Sequence, residues 1–247
     1  MSRFKLTTRK LAFTSVFAAL SAVVAEFIPG IPVIGVQGSS IKFDAALAPI
    51  WGIVLGPNLG CLAALIGGLA AAGTNFLSIL TSFCTAVSAY VAGVLTQKEV
   101  RVSSVKLKGW IVGSLVSFLL ILGWYSMPVG REAPYYPVLQ TAGFLIPLIF
   151  RGWISRNFME GGKKALLSIC MASYCGIVSD HMLGNLIYLS MFPNLTAIIF
   201  MSVLPISVVE RTVLTLIATV IGSSLVLSLR LERLFPREME GRGRQKT

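Results

Sequence analysis

The fold class this sequence predicts is an all-α polytopic membrane protein, and three observations predict it. The 247 residues are 55% hydrophobic and only 13% charged, with a mean hydropathy of +0.81. Several apolar runs reach the roughly 20 residues that a helix needs to cross a bilayer, and a helix satisfies its own backbone groups there. The basic residues flank those runs instead of interrupting them: 18 of the 21 Lys and Arg fall in clusters around 3–10, 98–108, 151–164 and 230–246. The net charge of +11 therefore follows the positive-inside pattern, with attraction to lipid headgroups added, and calls for no nucleic acid.

Taken in order, the first span covers about 8–28. Its basic start mimics a signal peptide, but the apolar run is long and no A-x-A site follows, so it is read as a span. Pro29, Gly30 and Pro32 end it, and the loop PGIPVIGVQGSS (29–40) is the natural lid. Two short arms follow, about 44–55 and 57–72, separated by Leu55-Gly56-Pro57-Asn58; Pro57 suits the first turn of the second arm. Gly56, Gly60, Ala64, Gly67, Gly68 and Ala71 allow helices to approach closely. Further spans are expected at about 76–95, 109–125, 138–154 (kinked at Pro147), 164–191 and 196–229 (kinked at Pro205), eight in all.

Threading these spans puts the four basic clusters and both termini on the cytoplasmic side of a cell membrane. The loops at 29–43, 73–75, 127–137 and 191–196 fall outside and carry only Lys42 and Arg131 as basic residues. The domain reading is one transmembrane domain, 1–230, and a basic cytoplasmic tail, 231–247. Cys61, Cys84, Cys170 and Cys175 lie in apolar runs with no CxxC pair and read as small buried residues.

Ionisable groups inside spans are costly and mark function by default. They are Glu26, Asp44, Asp180, His181, Glu210 and Arg211. Under this topology they gather near the outer ends of different helices, together with Lys42, Asn75, Trp124, Tyr125 and Asn185. His181 and Asn185 are four residues apart and share a helix face. The expected substrate-binding set is therefore Lys42, Asp44, Asn75, Trp124, Tyr125, Asp180, His181, Asn185, Glu210 and Arg211, forming an outward polar pocket with aromatic walls. The plainer alternative is that Asp180, Glu210 and Arg211 neutralise one another between helices and that His181 is packed. Trp51 and Trp153 read as packing or interface residues. Enzyme motifs are missing: one His excludes HExxH zinc chemistry, and there is no GxSxG elbow or Walker A loop. No cofactor or metal is expected, and active transport would need a partner or an ion gradient.

The helix RKLAFTSVFAALSAVVAE, the IKFD…LGP…IGG stretch and the final VLPISVVERTVLTLIATVIGSSLVLSLR together resemble the substrate-binding S component of energy-coupling-factor (ECF) vitamin transporters, over about 8–96 and 164–230. The resemblance implies a six-helix bundle that binds a water-soluble vitamin near the extracellular face under its first loop. A transmembrane coupling subunit and two ATPase subunits would drive uptake. It also implies that Ala18 and Ala22 form the small-residue motif that docks on the coupling subunit, and that the helices at about 106–155 are a pair inserted into the six-helix core. Lys42-Phe43-Asp44 is similar to the helix entry of riboflavin-binding members and favours a flavin. The competing readings are a stand-alone secondary transporter or channel for a small polar solute, and an intramembrane enzyme acting on a lipid.

Overall fold

The computed structural model describes residues 8–28, 30–32, 40–41, 43–102, 105–192 and 194–231. Eight apolar helices make up the bulk of it: α1 (Thr8–Phe27), α2 (Asp44–Leu55), α3 (Pro57–Ala72), α4 (Phe76–Leu95), α5 (Gly109–Ser126), α7 (Val138–Phe150), α9 (Gly162–Met191) and α10 (Ala197–Leu231). Five are long and apolar enough to cross a membrane, while α2, α3 and α7 are shorter. Two short helices, α6 (Pro128–Glu132) and α8 (Trp153–Asn157), and two minimal hairpins, β1 (Ile31–Pro32) with β2 (Ser40–Ile41) and β3 (Glu99–Val102) with β4 (Val105–Lys108), complete the described elements.

The helix boundaries follow from local chemistry. Gly56 takes φ 85 between α2 and α3, and Pro57 opens α3 at N1, where a missing N–H is no loss. Asn75 caps α4 by accepting a hydrogen bond from the Ser78 N–H at 3.1 Å. The stretch EVRVSSVKLK, expected as a plain basic loop, is an antiparallel hairpin with Glu99 opposite Lys108 and Val102 opposite Val105. Its alternation of charged and apolar residues is the period-2 signal of a strand pair. The span expected at 138–154 stops at Phe150: Arg151 sits at φ 45, its N–H bonding to the Pro147 carbonyl at 2.8 Å, and α8 resumes two residues later. Pro205 lies inside α10, which is assigned helix throughout.

The short arms hold the bundle together. A Cβ on Gly52 would run into the Ala89 carbonyl of α4, one on Gly60 would lie 2.5 Å from the backbone of Gly52, and one on Gly93 would meet Pro57 at 2.7 Å. The helices α2, α3 and α4 therefore touch backbone to backbone, the close approach that small residues permit where lipid offers no hydrophobic drive. Beside this crossing Trp51 is buried. Its indole N–H donates to Ser21 Oγ at 2.6 Å and its ring stacks on Phe17 at 4.3 Å, which settles Trp51 as a packing residue. The carbonyl and backbone of α1 at Ala18 and Ala22 lie against Gly67 of α3, 2.7 and 3.3 Å from where its Cβ would be.

Valine at position 52 must push α4 away, an overpacking cost of about 1–3 kcal/mol or more. Gly52→Val is expected to lower the thermal unfolding midpoint of the detergent-solubilised protein clearly, whereas Gly152→Ala, at a position where an added Cβ meets nothing nearer than 3.9 Å, should leave it nearly unchanged.

Candidate functional site

At the end of the bundle where α2 and α10 begin and α5 and α9 finish, several polar side chains are buried together. Asp44 occupies the first turn of α2, where the positive end of the helix dipole favours a carboxylate. Asp180, His181 and Asn185 come from α9 and Glu210 and Arg211 from α10, each less than a tenth exposed. The charges interact: Arg211, Asp44 and Glu210 all lie within electrostatic reach of Asp180. Arg211 Nη2 lies 3.5 Å from Glu210 Oε1, with both side chains almost fully covered. That distance makes an ion pair, but the alignment makes no hydrogen bond, and Glu210 Oε1 and Arg211 Nε lack hydrogen-bond partners among the described residues.

His181 is held at both ring nitrogens. The Gln140 amide lies 3.1 Å from Nδ1 and the Tyr136 hydroxyl 3.2 Å from Nε2. With the Gln140 NH₂ donating, Nδ1 accepts and the proton sits on Nε2, which donates to Tyr136. Burial raises the Tyr136 pKa to about 12, so it remains protonated at neutral pH. Tyr136 in turn belongs to an aromatic wall: Trp124 stacks on it at 4.8 Å, and Phe200 meets both edge-on at 5.0 and 5.2 Å.

Seven buried side-chain polar atoms lack a hydrogen-bond partner among the described residues, and four of them are here: Gln140 Oε1, Asn185 Nδ2, Glu210 Oε1 and Arg211 Nε. Buried polar groups are normally satisfied, so an acceptor amide, a donor amide, a carboxylate and a guanidinium left without hydrogen-bond partners among the described residues set this end of the bundle apart. Among the described residues no group of three or more His, Cys, Asp or Glu is arranged to hold a metal ion.

The structure thus brings together Asp44, Asp180, His181, Asn185, Glu210 and Arg211 from the expected set. Trp124 joins as a fully buried wall, its indole N–H directed at the Ala133 carbonyl at 3.4 Å. Asn75 and Tyr125 are elsewhere: Asn75 is an exposed helix cap, and Tyr125 is a surface residue donating to the Pro134 carbonyl at 2.8 Å. Lys42 and most of the expected lid, Pro29 and residues 33–39, lie outside the described residues, though the flanks of that loop pair as β1 and β2. Ala18 is buried and Ala22 half-buried against α3, so this pair packs within the chain; the outward side of α1 carries Leu11, Val16, Leu20 and Val23 instead. Sequence reasoning missed Tyr136, Gln140 and Phe200. None of them is charged, and each is informative only by its neighbours in space.

Comparison with known proteins decides the family. Residues 5–147 match the model of the ECF-type riboflavin transporter S component. The chain belongs to the ECF S components. This is a family of transporter subunits, not of enzymes, and its members bind substrate and associate with ECF membrane and ATPase modules. The matched stretch of this S component runs through α5 and nearly all of α7, the helices expected to be an inserted pair. The chain is also similar to an uncharacterized protein of Methanocaldococcus jannaschii, with 31% identity over 236 residues, covering 92% of this chain and 74% of that protein. No solved structure matches.

Removing one member of a buried ion pair strands the other, at a cost of about 3–5 kcal/mol, whereas replacing both by apolar groups is close to neutral. Arg211→Met alone is expected to destabilise this S component strongly, and Glu210→Leu/Arg211→Met to recover only part of the loss in a thermal denaturation series, because Asp180 also interacts with the guanidinium. Equal losses would show that Arg211 is balanced by Asp180 instead.

Proposed function

We propose that this S component captures a water-soluble vitamin, with riboflavin or a related flavin favoured, at the buried polar end of the bundle, for ATP-driven uptake with a coupling subunit and two ATPase subunits. The observation that carries the reading is the cluster of unsatisfied buried polar atoms on α7, α9 and α10, in a chain whose family model is named for riboflavin. Flavin chemistry fits the groups available. Its pyrimidine edge alternates carbonyl and N–H groups that an Asn185 donor and a Gln140 acceptor complement, and its ribityl hydroxyls suit Asp44, Asp180 and Glu210. In this reading the cluster faces the outside, both termini are cytoplasmic, and the loop that includes Lys42 closes over the ligand.

The docking contact with the coupling subunit is assigned to α1. Because Ala18 and Ala22 pack on α3, the contact is proposed for the exposed apolar side of α1 around Val16, Leu20 and Val23.

The decisive experiment is mass spectrometry of small molecules released from the purified protein. A stoichiometric flavin is expected; a different bound vitamin would redirect the substrate assignment, and a folded protein that binds no vitamin in a thermal-shift panel would favour a secondary transporter or channel. Asn185→Leu separates site from scaffold. It removes an unsatisfied amide donor while Tyr136 keeps His181, so the ligand-free protein is expected to unfold at an equal or higher temperature. Binding should weaken about tenfold, the worth of roughly one hydrogen bond. Asp44→Asn should likewise cost more in affinity than in stability.

A further inference from the structure

The opposite end of the bundle holds a feature that substrate capture does not use. An open cavity of about 430 Å³ lies between the β3–β4 hairpin, the start of α5 and the α7–α8 junction. Its size falls within the roughly 300–1,000 Å³ of ordinary ligand sites. Lys98 and Lys108 line it from the two ends of the hairpin, and Arg151 and Arg156 from the junction. Glu99 is the one acidic residue in the lining. The ion pairs among the described residues are Lys164–Glu160 and Arg211–Glu210, so among those residues none of the four cations has a carboxylate within ion-pair distance. Four positive side chains from segments some 50 residues apart in the chain (98–108 and 151–156) converge on one concavity. The positive-inside rule accounts for their number on this side, but a topogenic signal has no need of convergence.

Two further observations point to a ligand. Arg151 is the only non-glycine residue at positive φ among the described residues, with φ 45 and ψ −126. Gly152, which follows it, keeps φ −76 as the N-cap of α8. Strain of this kind is held where function requires a side chain, and here it places a guanidinium on the cavity. Trp110, half-buried at the first turn of α5, forms an apolar part of the lining at the helix-end level where aromatic rings meet headgroups.

We propose that this cavity binds a phosphate-bearing anion, and that its source is the headgroup of an acidic phospholipid. Guanidinium groups take phosphate oxygens two at a time, and lysine ammonium groups add point charge. Basic pockets at the ends of transmembrane helices meet acidic headgroups at that depth. A free phosphate ion would share the chemistry but make no use of Trp110 or of the apolar helix flanks beneath it.

The test uses the full chain in detergent. Native mass spectrometry compares phosphatidylglycerol with phosphatidylcholine at matched concentrations, and thermal shift measures the effect of inorganic phosphate. The wild type is expected to retain phosphatidylglycerol at least about fivefold over phosphatidylcholine. Lys108→Gln/Arg156→Gln, at two exposed positions, should lose that preference, while Lys163→Gln/Lys164→Gln, equal in charge change but outside the cavity, should keep it. Arg151→Gly should bind the lipid more weakly yet unfold at the same or a higher temperature, because glycine suits that backbone. Stabilisation by inorganic phosphate that depends on Arg151 and Arg156, without lipid preference, would keep the phosphate site and assign it to a soluble ion. Equal lipid retention by the wild type and Lys108→Gln/Arg156→Gln, or retention that falls equally in both double variants, would overturn the site in favour of diffuse surface charge.

Discussion

The backbone contact among α2, α3 and α4 is the constraint on which the rest of the structure depends. Gly52, Gly60 and Gly93 meet where no side chain fits, so three helices cross almost without spacing. In lipid there is little hydrophobic gain from bringing helices together, and packing of this closeness has to supply the attraction. The short arms become possible for the same reason. A 12-residue helix such as α2 spans only about 18 Å, less than the hydrocarbon thickness of about 30 Å, and it is covered by its neighbours: Ile50 and Trp51 are essentially inaccessible. The short α2 thereby sets Asp44 below the end of the bundle, where longer elements surround it.

That placement explains how so much charge is tolerated. α9 and α10, of 30 and 35 residues, run past the short arms and bring Asp180 and Arg211 alongside Asp44. One guanidinium serves several carboxylates, and His181 is fixed by Tyr136 and Gln140 without contributing charge of its own in its neutral form. The arrangement is incompletely satisfied, unlike a structural ion-pair network, and a buried polar network with leftover donors and acceptors is costly unless something completes it. Asp180, Glu210 and Arg211 offset one another's charge in part, and unpartnered polar atoms remain around them among the described residues. The two ends of the molecule contrast in kind: one buries opposite charges under an aromatic wall, the other exposes like charges around an open cavity.

Much of the helical layout was legible. The break at Gly56-Pro57, the start of α4 at Phe76 and the ends of α4 and α9 follow from proline geometry and apolar length, which act within a few residues. The errors share a cause as well. The strand pair at 99–108 carried its alternation openly, but its basic residues also fit the topology signal and were read as loop. The early end of α7 at Arg151 depends on a backbone conformation that an arginine rarely adopts, and no propensity announces it. The small-residue motif Ala18-x-x-x-Ala22 does not by itself say which neighbour it meets; that α1 sets it against Gly67 depends on how α1 and α3 pack.

The site divides in the same way. Its charged members could be found from sequence because an ionisable residue inside an apolar run is conspicuous whatever surrounds it. Tyr136, Gln140 and Phe200 could not, since a tyrosine, a glutamine or a phenylalanine near a helix end is ordinary until its neighbours are known. The sequence by itself determined a helical membrane protein with its polar residues at one end and its basic residues at the other, because hydropathy and charge act on each segment separately. Only the tertiary structure decided which of those residues meet, because meeting depends on helix rotation and depth, and these are set by backbone contacts at glycines far away in the chain.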